Sequence, residues 1–333
     1  MKVTPTYQRE SETEQQRFLP VSNKKVKVLY IAGGWRSGST LFSHVLSQID
    51  GIFSAGEPMF MWEDNFILNR LCGCMTPARE CEVWRGVMDE AYGGIDLAHA
   101  EEMSRLRRNL TRTRNLPLLL MPGTEKLLGP SYKKYLNNLE RVYRAIQVST
   151  ASNLIVDGSK FPAYGYMLKM IPTIDLYVVH LVRDPRAVAY SRLSKKWNPD
   201  ANAYMPQLSS ARSSLVWDYM NLSVEAVLGR SRERYLMLRY EDFVKSPRET
   251  IERTLEFVHE KTSQLPFTAE NEVALRPSHM VTGNPGVYKE TGNVRLRLDE
   301  VWKAKMEARD KSLVTLLTSP LMLKYGYLRG IRN

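Results

Sequence analysis

Val26-Lys27-Val28-Leu29-Tyr30-Ile31-Ala32-Gly33-Gly34-Trp35-Arg36-Ser37-Gly38-Ser39-Thr40-Leu41 is the stretch whose reading decides the fold. Its first seven residues are apolar apart from Lys27, two glycines end the run, and small polar residues form a turn. A helical pattern then begins at Ser39-Thr40-Leu41-Phe42. Strand, tight loop and helix N-terminus in that order present backbone N–H groups to a phosphate-like anion. Gly33 and Gly38 have the spacing of the Gly-x-x-x-x-Gly-Lys-[Ser/Thr] phosphate loop, and Thr40 is in place, but Ser39 stands where that loop has its lysine. The cation is Arg36, inside the turn. An ATP-hydrolysing loop uses the missing lysine on the β- and γ-phosphates. The spacing therefore points to an anion other than ATP.

Working outward, residues 40–49 carry Leu41, Phe42, Val45, Leu46 and Ile49 on one helical face, and Gly51 ends it. Ile52-Phe53-Ser54-Ala55 reads as a second strand delivering Gly56-Glu57-Pro58 at its carboxyl end. Residues 59–147 read as mostly helical, with breaks near Gly73, Gly93-Gly94, Pro117, Pro122 and Pro130. Residues 153–157 return as a strand ending in Gly158-Ser159-Lys160. The nearly unbroken apolar run 174–182 predicts a strand buried on both faces. Asp184-Pro185 reads as the N-cap and first residue of a helix over 186–196. A loop at 198–206, a helix to 228, a strand at 235–240 and a helix at 247–259 follow. Turn signals and the alternating Val294-Arg295-Leu296-Arg297-Leu298 then lead into a last helix from Asp299.

Strands alternating with helices predict an α/β fold: one domain with a central parallel β-sheet flanked by helices. Ligands bind at the carboxyl ends of such strands, and Arg36, Glu57, Lys160 and Arg183 all fall there. The expected organisation is a flexible N-terminal tail over 1–25 and one domain over 26–333, with 59–150 as a helical insertion on the acceptor side. A net charge of +11 implies an anionic partner. The densest apolar patch, 116–121, is interrupted by Pro117 and is too short to span a bilayer. Three cysteines make an odd number, which argues against a full disulfide framework and favours a reducing cytoplasm.

A second cluster is Leu181-Val182-Arg183-Asp184-Pro185-Arg186-Ala187-Val188-Ala189-Tyr190-Ser191-Arg192. By itself it is a helix start with a salt bridge or cap. Together with the Arg-Ser-Gly-Ser-Thr-Leu loop it resembles the paired signatures of the sulfotransferase family that uses 3′-phosphoadenosine 5′-phosphosulfate (PAPS), in particular its carbohydrate and tyrosine branches. The resemblance runs from about Lys27 to His259, with a weaker tail beyond. It implies a phosphate-loop-like fold and PAPS as co-substrate, with the 5′-phosphosulfate held by Arg36, Ser37, Gly38, Ser39, Thr40 and Leu41. Arg183 and Ser191 would hold the 3′-phosphate, and Tyr240 of Tyr-Glu-Asp-Phe would lie near the adenine. The family's C-terminal arginine-lysine-glycine triplet is missing from Tyr288-Lys289-Glu290-Thr291-Gly292, leaving Lys289 or Arg295 as the substitute.

Transfer to a hydroxyl requires a base. Glu57 is the candidate, because the resemblance implies a catalytic glutamate in such a Gly-Glu segment; His44 and His180 are weaker alternatives with structural readings. Lys160 is placed to neutralise the leaving oxygen, with Arg36 as a further catalytic cation. No metal is assigned: Arg, Lys and loop amides offset the developing charge, and Cys72, Cys74 and Cys81 lack a fourth ligand at usual spacing, so they read as structural or incidental. The run Arg105, Arg107, Arg108, Arg112 and Arg114 reads as a solvated face or a steering patch. Phe60, Trp62 and Phe66 read as sugar-stacking or core residues, with core packing expected for at least two. The expected acceptor is a hydroxyl of a carbohydrate, glycolipid or small molecule. Rival readings are a nucleotide-kinase-like enzyme, a catalytically dead nucleotide binder, and a non-catalytic protein that binds anions, nucleic acid or membrane.

Overall fold

The computed structural model describes residues 25–112, 115–121, 123–198, 203–284 and 290–328, with backbone alone over 124–127. The expected tail over 1–25 lies, but for its last residue, outside the described residues, as does Lys289. Among the described residues ten strands are formed: β1 Val26–Ala32, β2 Ile52–Gly56, β3 Leu154–Lys160, β4 Ile174–Val182, β5 Trp197–Asn198, β6 Ala203–Tyr204, β7 Tyr235–Arg239, β8 Phe267–Ala269, β9 Glu272–Leu275 and β10 Gly292–Arg295. Five make the central sheet in the order β2-β3-β1-β4-β7, and every pairing is parallel. Val28 sits level with Ile155 on one side and Leu176 on the other.

The period-two alternation of β1 divides the core. Val28 and Tyr30 face one layer, packed with Trp84, Tyr143 and Tyr164 from helices Glu82–Tyr92, Thr124–Thr150 and Pro162–Lys169. Leu29 and Ile31 face the other, packed with Phe42, Val45 and Phe243 from helices Ser39–Leu46 and Tyr240–Lys245. This is the expected α/β architecture, a parallel sheet with helices on both faces. Lys27 is reconciled with its strand by hydrogen bonds to Val258 O at 3.1 Å and Glu260 Oε1 at 2.5 Å.

Three expectations change in detail. Strand β3 continues through Gly158-Ser159-Lys160 rather than ending at Asp157. Gly158 is a place of close approach to the carbonyl of Gly56, not a turn. Residues 59–150 are less uniformly helical than the pattern implied. A 3-10 turn at Pro58–Phe60 and a π-helical turn at Trp62–Ile67 precede the helices Glu82–Tyr92, Leu97–Leu110, Leu116–Leu119 and Thr124–Thr150, the last kinked at Gly129 before Pro130. Of the C-terminal turn signals, Gly292-Asn293 opens β10 of an antiparallel sheet, β10-β9-β8, whose Val273 and Leu275 join Leu296 in the Phe42 layer. Among the described residues no helix is long and apolar enough to cross a membrane.

Candidate active site

The parallel sheet fixes which chain segments meet. The ends of β1, β2, β3 and β4 bring Arg36, Glu57, Lys160 and Arg183 to one edge, where they line a cavity of about 380 Å³. The sequence expectation that these four converge is met.

The loop after β1 forms the floor. Arg36 has φ 66° and Gly38 has φ 92°, so the chain winds left-handed twice before helix Ser39–Leu46 begins. No side chain caps that helix, and the N–H groups of its first turn have no intrahelical partner by geometry. Ser37 is 2% exposed and its Oγ has no hydrogen-bond partner among the described residues. Ser39, Thr40 and Leu41 line the cavity with Gly38. An uncapped helix start, a buried unpaired hydroxyl and a nearby guanidinium together suit an anion.

One wall comes from β4 and the helix after it. Asp184 caps helix Pro185–Leu193, accepting from Arg186 N at 2.9 Å, as Asp-Pro foretold. That cap sets the helix so that Ser191 Oγ accepts from Arg36 Nε at 2.9 Å and from Lys196 Nζ at 3.4 Å. Arg183 is buried. It donates from Nη1 to Arg36 O at 3.1 Å and from Nη2 to Asp299 Oδ2 at 3.2 Å, and it lies 4.6 Å from the centroid of the Tyr240 ring. Arg192 and Lys196 complete the wall. Burial, then the charges of Arg183 and Arg192, pull the Arg36 guanidinium below its usual pKa, with Asp299 opposing. Burial and the same crowd of cations lower Lys196. Five cations against two carboxylates, Glu57 and Asp299, leave the cavity short of negative charge.

The opposite end is built by β2 and β3. Gly56 admits the backbone of Val281 at a separation no Cβ would allow, and Glu57 N donates to Val281 O at 2.8 Å. This bridge fixes Glu57 at the mouth. Lys160, with φ 72°, turns back to pair with the Glu57 carboxylate and donates to Gly158 O at 3.1 Å. The candidate base and the candidate cation, assigned separately from the sequence, are direct partners. Below them Asp157 accepts from Ser159 N at 2.8 Å and from Tyr143 OH, and burial pushes its carboxyl up to about 6.

The alternative bases are structural. His44 is buried, with Nε2 3.1 Å from Arg276 O. His180 lies between Tyr235 OH at 2.7 Å and Asn221 Oδ1 at 2.8 Å, and burial lowers it to about 4. Trp62 and Phe66 are core residues, while the half-buried Phe60 packs on Phe161 beneath the guanidinium of Arg107. Arg107 departs from the solvated-face reading, being buried against Glu63 at 2.8 Å, whereas Arg105, Arg108 and Arg112 are exposed as that reading expects and Arg114 lies outside the described residues. Arg295 is exposed in β10, outside the cavity lining. Sequence reasoning missed Arg192, Lys196, Asp299 and the Gly283-Asn284 turn, whose Asn284 N donates to Thr40 Oγ1 at 3.4 Å. Arg192 was legible as the cation next to Ser191; Asp299, 116 residues from Arg183, carried no local signal.

Residues 29–264 match a family model described as "Sulfotransferase family". Mouse carbohydrate sulfotransferase 2 is 26% identical over 291 residues, covering 70% of this chain and 53% of that protein. Mouse carbohydrate sulfotransferase 3 is 26% identical over 168 residues, covering 47% and 34%. The chain thus spans about half the length of the first of these relatives or less. Among solved structures, the sulfotransferase domain from the Synechococcus PCC 7002 olefin synthase aligns over 91% of this chain and 96% of its own, at 18% identity and a TM-score of 0.48. The sulfotransferase domain from the curacin biosynthetic pathway aligns over 89% and 98%, at 17% and 0.46. With the match reaching from the phosphate-type loop through the second signature and past β7, the chain belongs to the sulfotransferase family.

Proposed function

We propose that this chain transfers a sulfuryl group from PAPS to a hydroxyl of a carbohydrate acceptor. The observation that carries the reading is the meeting of Arg36 with both Arg183 and Ser191, each of which it touches by a hydrogen bond. Two guanidinium groups from loops 147 residues apart, sharing one cavity, suit a ligand with anionic groups at two places. PAPS carries roughly four negative charges. The orphan Ser37 hydroxyl, the uncapped helix start and the surplus of cations all fit such a donor.

The phosphosulfate would rest on the loop from Arg36 to Leu41 and the 3′-phosphate on Arg183 and Ser191, with the Tyr240 ring beside the adenosine. The acceptor hydroxyl would approach from the Glu57 end. As its oxygen bonds to sulfur, the bond from sulfur to the bridging phosphate oxygen breaks and the hydroxyl proton passes to Glu57. Lys160 has three N–H donors and spends two, on Glu57 and Gly158 O, so the third remains for the departing oxygen. Arg36 and the loop amides share that charge. The carbohydrate class rests on the relatives named above.

Calorimetry with adenosine 3′,5′-bisphosphate and ATP side by side tests the donor assignment. The bisphosphate should bind more tightly, and Arg36→Ala and Arg183→Ala should each weaken it by about thirtyfold or more, the scale of removing a buried charge partner. Preference for ATP, or unchanged bisphosphate affinity in both variants, overturns the reading.

A further inference from the structure

A second cluster of reactive side chains lies outside the cavity and shares no residue with its lining. Cys72, Cys74 and Cys81 gather around His279, which is 198 residues from Cys81 in sequence. Their ligand atoms all lie within 4.8 Å of one another. Cys74 Sγ is 3.7 Å from Cys81 Sγ, and Cys81 Sγ is 3.3 Å from His279 Nδ1. A tetrahedral ion with metal–sulfur bonds of about 2.3 Å and a metal–nitrogen bond of about 2.0 Å has S–S edges of about 3.8 Å and S–N edges of about 3.5 Å. Both measured separations agree with those edges to within a few tenths of an ångström. A disulfide requires sulfurs about 2.05 Å apart, and none of the three thiols is so paired.

We propose that Cys72, Cys74, Cys81 and His279 hold one zinc ion in a closed Cys₃His site. Three thiolates and an imidazole at tetrahedral spacing favour zinc over the hard, oxygen-seeking cations. Four protein ligands leave no open position, so the ion's role is structural. The sequence reading of these cysteines as structural or incidental rested on a missing fourth ligand, which His279 would supply. The Cys-x-Cys-x₆-Cys spacing lacked a fourth ligand only because that ligand arrives from the far end of the chain.

The local fold supports the placement. Cys72 to Thr76 form a tight turn, with Met75 at φ 71° and Cys72 N donating to Thr76 O at 2.8 Å. Cys81 stands at the N-terminus of helix Glu82–Tyr92. Trp84 Nε1 donates to His279 O at 2.7 Å, fixing the histidine's backbone, and Gly73 N donates to Met280 O at 2.9 Å. The next residue, Val281, bridges to Gly56 beside Glu57, and Gly283-Asn284 line the cavity. The ion would therefore clamp the segment that buttresses Glu57 to the helical region on its other side.

The test is metal analysis of the whole chain purified under reducing conditions without chelator. The expected result is about one zinc per chain. Replacement with Co²⁺ should give the thiolate-to-cobalt charge-transfer absorption and intense d–d bands of a tetrahedral thiolate site. His279→Ala, at a half-buried position, should fold and retain zinc at least tenfold more weakly, since even outer-shell partners cost ten- to hundredfold. Cys72→Ser, at a buried position, should lose zinc and lower Tm. Should Cys72→Ser fail to fold, the wild-type zinc content and cobalt spectrum still decide. Substoichiometric zinc with no cobalt charge-transfer band overturns the proposal. So does a Cys74–Cys81 disulfide in the intact mass of the reduced preparation, or zinc retention in His279→Ala equal to wild type.

Discussion

At one end of the cavity Lys160 faces Glu57, with side chains only 6% and 15% exposed; at the other Arg183 faces Asp299, whose side chain is 49% exposed. Both pairs set a cation against a carboxylate, yet they differ in how freely the carboxylate can leave. Asp299 reaches the cavity from the residues after β10, stands largely in water, and can be exchanged for a ligand phosphate at little cost. Glu57 is pinned by the Val281 bridge and enclosed, so its pairing with Lys160 is built into the site. An exposed counter-ion suits a place that a donor's phosphate takes over. An enclosed one suits a group that remains and handles a proton.

The largest effect that separates the two ends is expected from Glu57→Gln. Transfer to a hydroxyl acceptor should fall by about 10²–10⁴-fold, the scale of removing a general base, while bisphosphate affinity by calorimetry stays within about threefold. A near-normal rate would reduce Glu57 to a counter-ion of Lys160 and erase the contrast between the ends. A smaller change of opposite sense is expected from Asp299→Asn. Freeing Arg183 of its exposed partner should tighten bisphosphate binding by about two- to fivefold, in line with the worth of a surface ion pair. Weaker binding would mean that Asp299 positions Arg183 rather than merely screening it.

The smallest effect concerns the support beneath Glu57. Asp157 is held up at about 6, mainly by burial, above its value in an unfolded chain. Between about pH 4 and 6 the folded state therefore binds the extra proton, and this carboxyl makes stability fall as pH rises. His180 is held down at about 4 by burial, so between about 4 and 6.5 the unfolded state binds the extra proton and stability rises with pH. The two oppose each other. Asp157→Asn removes the falling contribution, and its Tm should climb more steeply than wild type from pH 4 to 6.5. An unchanged slope would mean that Asp157 does not titrate in that range and would leave the Glu57 end without its pH-sensitive floor.

The same contrast governs what could be read from the sequence. The Arg36 and Arg183 end was legible because each loop is contiguous: Gly33 and Gly38 fix a turn, Asp184-Pro185 starts a helix, and Ser191 follows at a set number of turns. Residue types at fixed spacing are enough when one strand–loop–helix unit does the positioning. What escaped the sequence depends on long-range meetings. Val281 against Gly56, Asp299 against Arg183 and His279 against Cys81 are each separated by more than a hundred residues, and no local pattern announces them. The β8-β9 pair went unrecognised because strands of three and four residues are too short for alternation to stand out, whereas the alternation at 294–298 overlaps β10.

Arg36 and Lys160, facing each other across this contrast, share one backbone peculiarity: each carries a long cation at positive φ, where L-residues pay about 1 kcal/mol. A campaign that ranked variants by heat tolerance alone would therefore be drawn to glycine at residue 36, where neighbouring cations also repel, whereas glycine at residue 160 would strand the enclosed Glu57 carboxylate. It would return sturdier chains stripped of a charge on which sulfate handling is proposed to depend. Any engineering of this scaffold for endurance should hold residues 36 and 160 fixed and look for its gains elsewhere.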